Sequence, residues 1–215
     1  FEVRTALNDI TDGNEAPDRK EAAAAVNVSE EPFSVYISGI DVYGDITQQS
    51  RSDVNIIATV NPKTKQILLV TTPRDYYVPI PGVSNGAPDK LTHAGTYGIA
   101  TSMATLEELY QVDIPFYVRV NFTSLIEMVD ILGGIDVDSE LAFTTGNDSG
   151  MVVEVKEGLN HFNGKEALAF CRERHALAEG DNQRGKNQQA VIEAMLKKAM
   201  SPSILIKGPR LIDQV

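Results

Sequence analysis

One cysteine, Cys171, is all that the 215 residues contain, which excludes an intrachain disulfide and any zinc site built from several thiolates. Basic residues are also scarce: 19 Lys and Arg stand against 30 Asp and Glu, a net charge of −11. A protein that gripped nucleic acid by its phosphates would need the opposite balance, so no nucleic-acid partner is expected. No apolar run approaches the length of a membrane-spanning helix, and no signal peptide is visible. Internal repeats and periodic Gly or Pro are missing. So are several familiar chemistries. Arg184-Gly185-Lys186-Asn187 lacks the spacing of a phosphate-binding loop, and there is no Gly-x-Ser-x-Gly nucleophile elbow. His93, His161 and His175 lack metal-ligand spacing.

What remains is an ordinary globular composition, 42% hydrophobic and 23% charged, enough for one large domain or a domain plus a remnant of another. The charge is uneven. Residues 1–41 hold nine acids and three bases, whereas residues 165–186 hold five bases and four acids. A basic cluster in an acidic chain points to a site rather than a general field. The start at Phe1 and the end at Val215 read as the limits of a fragment, which leaves room for a membrane anchor outside it.

Residues 1–31 are expected to be a linker or a remnant of a preceding domain, with a short strand over 1–7 and a helix over 18–26. The domain proper spans 32–215. Phe33–Ile40 alternates as a strand. Val54–Val60 and Gln66–Thr72, joined by the turn Asn61–Lys65, read as a hairpin of central strands buried on both faces. Ile99–Val112 has helical periodicity, Phe116–Phe122 reads as a strand, and Thr123–Leu132 as a helix stopped by Gly133-Gly134. Ile135–Ser139 and Met151–Val155 are short strands. Tyr76-Tyr77 and Phe116-Tyr117 are read as strand packing. Asn163 with Glu166 forms a capping-box signature for a helix ending near Arg174, and a long helix runs from about Asp181 to Met200. The fold class is α/β (α+β): a three-layer domain with a mostly central sheet flanked by helices.

Three clusters carry candidate chemistry. Asp41 closes the first strand and Asp53 opens the second, so the two acids either hold a hard cation such as Mg²⁺ or simply make turns. Arg74 leaves the most hydrophobic strand, where it either offers a planar fork to a phosphate or pairs with Asp75 inside the turn. Arg172-Glu173-Arg174 ends one helix, and Arg184 and Gln188 share a face of the next, in line with apolar Val191 and Met195. A pocket for a charged head and an apolar tail would use such a stripe; the plainer reading is an arginine snorkelling from the core edge.

In this order the clusters resemble the LytR-CpsA-Psr family of bacterial cell-wall phosphotransferases, and Tyr36–Asp41 resembles its capsule-associated, CpsA-like branch. The resemblance runs from about Phe33 to Met200. It also rests on Lys90–Ala94, Val120-Asn121-Phe122, Gly133–Val137 and Gly158–Gly164. It implies an anchored enzyme on the outer face of the cell membrane. Such an enzyme takes a glycopolymer (capsular polysaccharide or teichoic acid) from a polyprenyl pyrophosphate carrier, attaches it to peptidoglycan and releases polyprenyl phosphate. Arg74, Lys90, Arg172, Arg174, Arg184 and Gln188 would then bind the pyrophosphate. Arg74, Asp75, Asp53, Arg172 and Arg174 would be catalytic, and Asp41 and Asp53 would hold Mg²⁺. The polyprenyl tail would occupy a pocket between sheet and helices, with Met103, Leu106, Val191 and Met195 as its lining. The family often has an arginine just before the Gln pair, where this chain has Lys186-Asn187.

Overall fold

Alternation along β1 (Phe33–Ile40) sends Tyr36 to one side of a sheet and Phe33 and Val35 to the other. The computed structural model describes residue 23 and residues 25–46, 49–177 and 180–199. β1 pairs antiparallel with β2 (Ser52–Asn61), which pairs antiparallel with β3 (Gln66–Thr71). On its other edge β1 pairs in parallel with β6 (Phe116–Val120), giving the order β3-β2-β1-β6. Parallel pairing needs a crossover, and this one contains the short hairpin β4 (Tyr77–Pro79) and β5 (Pro88–Lys90), then α1 (Leu91–Ala94) and α2 (Ile99–Tyr110). Met103 and Leu106 of α2 have no exposed surface and pack on Tyr36, Ile57 and Tyr117 of the sheet. The chain therefore has the expected α/β class, a mixed sheet with helical cover.

Two strand readings need correction. β3 is an edge strand with Leu68 62% exposed, not a central strand buried on both faces. Its apolar run cannot distinguish an edge from a centre, because that depends on whether another strand pairs beyond it. Tyr76 and Tyr77 are exposed, whereas Phe116 and Tyr117 are buried. The first pair lies at a two-stranded hairpin too short to cover its own side chains.

The chain divides into two compact units, one up to Asn121 and one from Phe122. The second opens with α3 (Phe122–Ile131), not with a continuation of β6, and Gly133 and Gly134, both at positive φ, turn the chain into β7 (Ile135–Ser139). β8 (Phe143–Thr144) and β9 (Glu154–Val155) make a small hairpin, shorter at its second strand than Met151–Val155. β10 (Gly158–Phe162) pairs with β7. It escapes sequence reading because its alternation is inverted: Leu159 is exposed while polar Asn160 is buried. α4 (Gly164–Arg172) begins with the anticipated capping box. The Asn163 side chain accepts from the Glu166 N–H at 3.0 Å, and the Asn163 N–H donates to the Glu166 carboxylate at 2.9 Å. Gly164 is required there, because a Cβ would run into the Ile126 carbonyl of α3. Phe170 of α4 lies against Phe143 and Phe162, with ring centroids 5.8 and 5.3 Å away.

α5 (Asp181–Ala199) buries Gln183, Asn187, Val191 and Ala194, so the inward stripe is one position out of phase with Arg184 and Gln188, which are half-buried beside it. Asn187 donates to the Phe170 carbonyl at 3.3 Å, and Gln183 donates to Asn187 at 3.4 Å. These bonds let two amides face the core without stranding their polar atoms. The strand read over 1–7 lies outside the described residues, and so does the helix over 18–26 except for its last few positions, of which Ala23 and Ala25 are helical. No helix of the described residues is long and apolar enough to cross a membrane.

Candidate functional site

In the first unit the candidates gather where β1 ends and β2 begins. Ile40 pairs with Ser52 while Gly39 pairs with Val54, so Asp53 sits in a β-bulge. Gly39 has to be glycine, because a Cβ there would lie 2.7 Å from the Val54 side chain. Beneath the bulge is a buried polar core. The Tyr36 hydroxyl donates to Asn55 at 2.7 Å and lies 2.9 Å from the Ser52 hydroxyl, itself 2.8 Å from that of Ser38. Burial raises the Tyr36 pKa, so this phenol stays neutral and serves as a fixed dipole.

Asp53 accepts from Arg74 Nη1 at 2.7 Å, and Arg74 Nε is 3.6 Å from Asp75. Asp75 accepts from Lys90 Nζ at 2.7 Å. The hydrogen bond from Lys90, aided by the charges of Lys90 and Arg74, holds the Asp75 carboxyl below its ordinary range and makes it a weak base. The backbone fixes the same row. Thr72 N–H donates to the Asn55 carbonyl at 2.9 Å, and Thr92 N–H to the Arg74 carbonyl at 2.8 Å. Asp53, Arg74, Asp75 and Lys90 are thus brought together. Asp41 is exposed on the loop that follows β1. That loop is pinned by two residues that motif reading left without a role: Asn121 donates to the Gly44 carbonyl at 2.8 Å and Arg119 to the Ile46 carbonyl at 3.1 Å.

In the second unit the chain leaves α4 in an extended conformation at Glu173, with φ −64° and ψ 133°. Arg172 is half-buried, Glu173 is 1% exposed and Arg174 is exposed. The Arg172 guanidinium lies 4.6 Å from the centre of the Phe122 ring. Glu173 Oε1 accepts the N–H groups of Arg174, His175 and Ala176 at 2.8–2.9 Å. Its Oε2 accepts the Gly146 N–H at 2.6 Å and the Ser149 hydroxyl at 2.8 Å. Burial pushes this carboxyl up, but the hydrogen bonds from Ala176, Gly146, Ser149 and His175 outweigh it and hold the pKa at about 2. Within the second unit, no described carboxylate pairs with Arg172 or Arg174.

Comparison with known proteins gives the family. The LytR_cpsA_psr family model matches residues 2–215. The chain belongs to the LytR-CpsA-Psr family. A relative from Enterococcus faecalis, the polyisoprenyl-teichoic acid–peptidoglycan teichoic acid transferase TagU, is 39% identical over 175 residues, covering 80% of this chain and 55% of the relative. Among solved structures, Bacillus subtilis TagV superimposes with a TM-score of 0.73 at 32% identity, covering 85% of this chain and 70% of that one. TagT with bound octaprenyl pyrophosphate lipid gives 0.65 at 29% identity, covering 88% and 76%. The chain spans about half to two thirds of the length of the curated relatives it matches.

For this LytR-CpsA-Psr chain the inferred pyrophosphate ligands fall into the two units as two sets: Arg74 and Lys90 in the first, Arg172, Arg174, Arg184 and Gln188 in the second. Met103 and Leu106 have no exposed surface. They are closed core, as is Val191. Glu173 went unassigned because a glutamate between two arginines reads as their counter-ion. The usable signal was its position just past the last helical residue, where an extended backbone turns alternate side chains to opposite sides.

Proposed function

We propose that this protein is a phosphotransferase that moves a glycopolymer, with one phosphate, from a polyprenyl pyrophosphate carrier to a peptidoglycan hydroxyl. The observation that carries this reading is an arginine set, Arg172 and Arg174, with no carboxylate partner among the described residues, in a chain of a family whose TagT member has been solved with octaprenyl pyrophosphate bound. The names of the teichoic acid transferases TagU and TagV support teichoic acid or a similar anionic polymer as cargo. Capsular polysaccharide is the alternative cargo for the same chemistry.

In the reaction the acceptor oxygen bonds to the polymer-side phosphorus and the bridging P–O bond of the pyrophosphate breaks. Polyprenyl phosphate leaves with that bond's electron pair, and the acceptor proton passes to solvent. Phosphoryl transfer of this kind asks a protein mainly for positioning and charge neutralisation. Arg172 and Arg174 would take the phosphate oxygens through planar, charge-assisted bonds. Arg184 and Gln188 would extend that grip. In the first unit Arg74, already oriented by Asp53 and Asp75, would be a further phosphate-binding group.

Among the described residues no three His, Cys, Asp or Glu side chains form a cage for a metal. Mg²⁺ does not need one, since it takes one or two carboxylates and fills its shell with phosphate oxygens and water. Asp41, just past β1, and Asp53, in β2, would be the carboxylates that hold it. When bound, the ion would neutralise charge on the pyrophosphate. The work would take place at the outer face of the cell membrane, where the acceptor is.

The test is substitution in a transfer assay with a lipid-linked polymer and peptidoglycan. Arg172→Ala and Arg184→Ala should abolish transfer while leaving the circular dichroism spectrum unchanged. Wild-type rates from either variant would remove that arginine from the site.

A further inference from the structure

Glu173 is the most completely bonded side chain described in the second unit. Its two oxygens take five donors, three from its own turn and two from the 146–149 segment. The carboxylate is 1% exposed, yet the residues on either side are the half-buried Arg172 and the exposed Arg174. A glutamate between two arginines ordinarily neutralises them. Here its lone pairs are committed to backbone N–H groups and the Ser149 hydroxyl, so it cannot. The arginines are left with other neighbours. Arg172 lies against the Phe122 ring, and a Cβ at Gly150 would come 3.5 Å from its Nη1, so the same loop that Glu173 holds also walls Arg172.

We propose that Glu173 is a positioning residue for pyrophosphate binding: its buried carboxylate bolts the Arg172–Arg174 segment to the 146–149 loop and keeps both arginines unneutralised for the anionic substrate. The inference rests on the proposed function. Three of its bonds fix the backbone N–H groups of residues 174–176 around one oxygen, so Glu173 sets the backbone that carries Arg174 and His175, whose Nε2 accepts from Arg174 Nε at 3.3 Å. The other two fix the loop beside Arg172. Removing the carboxylate therefore loosens the presentation of both arginines while leaving them in the sequence. A neutral glutamine is too poor an acceptor to replace it, because its amide group points donors at donors. Aspartate keeps the charge and part of the network.

The test is a double-mutant cycle on binding of octaprenyl pyrophosphate in detergent micelles, measured by calorimetry with wild-type protein, Glu173→Gln, Arg174→Ala and the double variant. Glu173→Gln should weaken binding about tenfold, and in the Arg174→Ala background it should cost clearly less, about threefold, because only its hold on the loop beside Arg172 remains to be lost. Glu173→Asp should recover part of the loss. If Glu173→Gln does not fold, Ser149→Ala, which removes one bond, replaces it in the same cycle with an expected loss of about threefold. Wild-type binding with unchanged affinity in Glu173→Gln, or equal losses in both backgrounds, would overturn the positioning role and leave the proposed function standing. Absence of binding by wild-type protein would overturn both.

Discussion

The two arginine sites treat their carboxylates in opposite ways. In the first unit Arg74 is paired, with Asp53 at 2.7 Å and Asp75 at 3.6 Å, and Lys90 closes the row on Asp75. In the second unit the nearest carboxylate in sequence, Glu173, is turned inward onto backbone donors, and Arg172 faces an aromatic ring. A paired arginine is already oriented, but an arriving phosphate must share it with a competitor. An arginine without a carboxylate partner offers its whole charge, but something else has to hold it still. One region therefore supplies orientation by ion pairing, the other by a buried network.

The comparison breaks most readily at Arg172. Arg172→Ala should cut kcat/KM for transfer by about 10²-fold or more, the scale for losing a preorganised donor to a developing charge. Steady-state kinetics on the lipid-linked substrate check this. Glu173→Ala comes next. It leaves several buried donors without an acceptor and should lower unfolding stability by about 3 kcal/mol, read from urea denaturation. The same group sets a pH dependence. Its carboxyl titrates at about 2 when folded, against 4.5 for the free group, so its contribution is complete above about pH 4.5 and is lost as pH falls towards 2. Acid titration of the unfolding midpoint should be visibly flatter in Glu173→Gln.

The smaller effects fall in the first unit. Asp53→Asn should raise affinity for inorganic pyrophosphate about two- to fivefold in EDTA. A partly exposed ion pair is worth only about 0.2–1 kcal/mol, and that is the competition removed. Lys90→Ala should change stability by no more than about 0.5 kcal/mol, since the pair it makes with Asp75 is half-exposed on both sides. NMR titration should then find the Asp75 carboxyl closer to its ordinary range, because Lys90 is the main cause of its depression.

Local rules read much of this protein correctly. β1 was legible residue for residue from its alternation, and the start of α4 from Asn163 and Glu166, because each is decided by neighbours in sequence. The turn at Gly133-Gly134 was legible for the same reason. What sequence could not supply was context. β3 reads as buried because its side chains are apolar, but only pairing beyond it would make it central. The polar start of the α5 stripe lies at Gln183 and Asn187 rather than Arg184 and Gln188, while Val191 is buried as expected; the two amides look like surface residues until the Phe170 carbonyl that accepts from Asn187 is in place. Of the candidate site, the pairing of Arg74 with Asp75 was legible from their adjacency, whereas the 2.7 Å contact of Arg74 with Asp53 was not, because sequence set Asp53 beside Asp41 instead. The inward turn of Glu173 did not show, because charge alone gives no direction.

The most direct measurement is a reconstituted reaction containing polyprenyl pyrophosphate-linked polymer and peptidoglycan oligomers, in which polyprenyl phosphate and glycan-linked phosphodiester are quantified together by mass spectrometry. Transfer yields the two products in equal amounts, and neither when the oligomers are left out. Polyprenyl phosphate formed at the same rate without acceptor would make the protein a hydrolase of the lipid carrier, and no turnover despite tight lipid binding would make it a binding module; either result contradicts transfer.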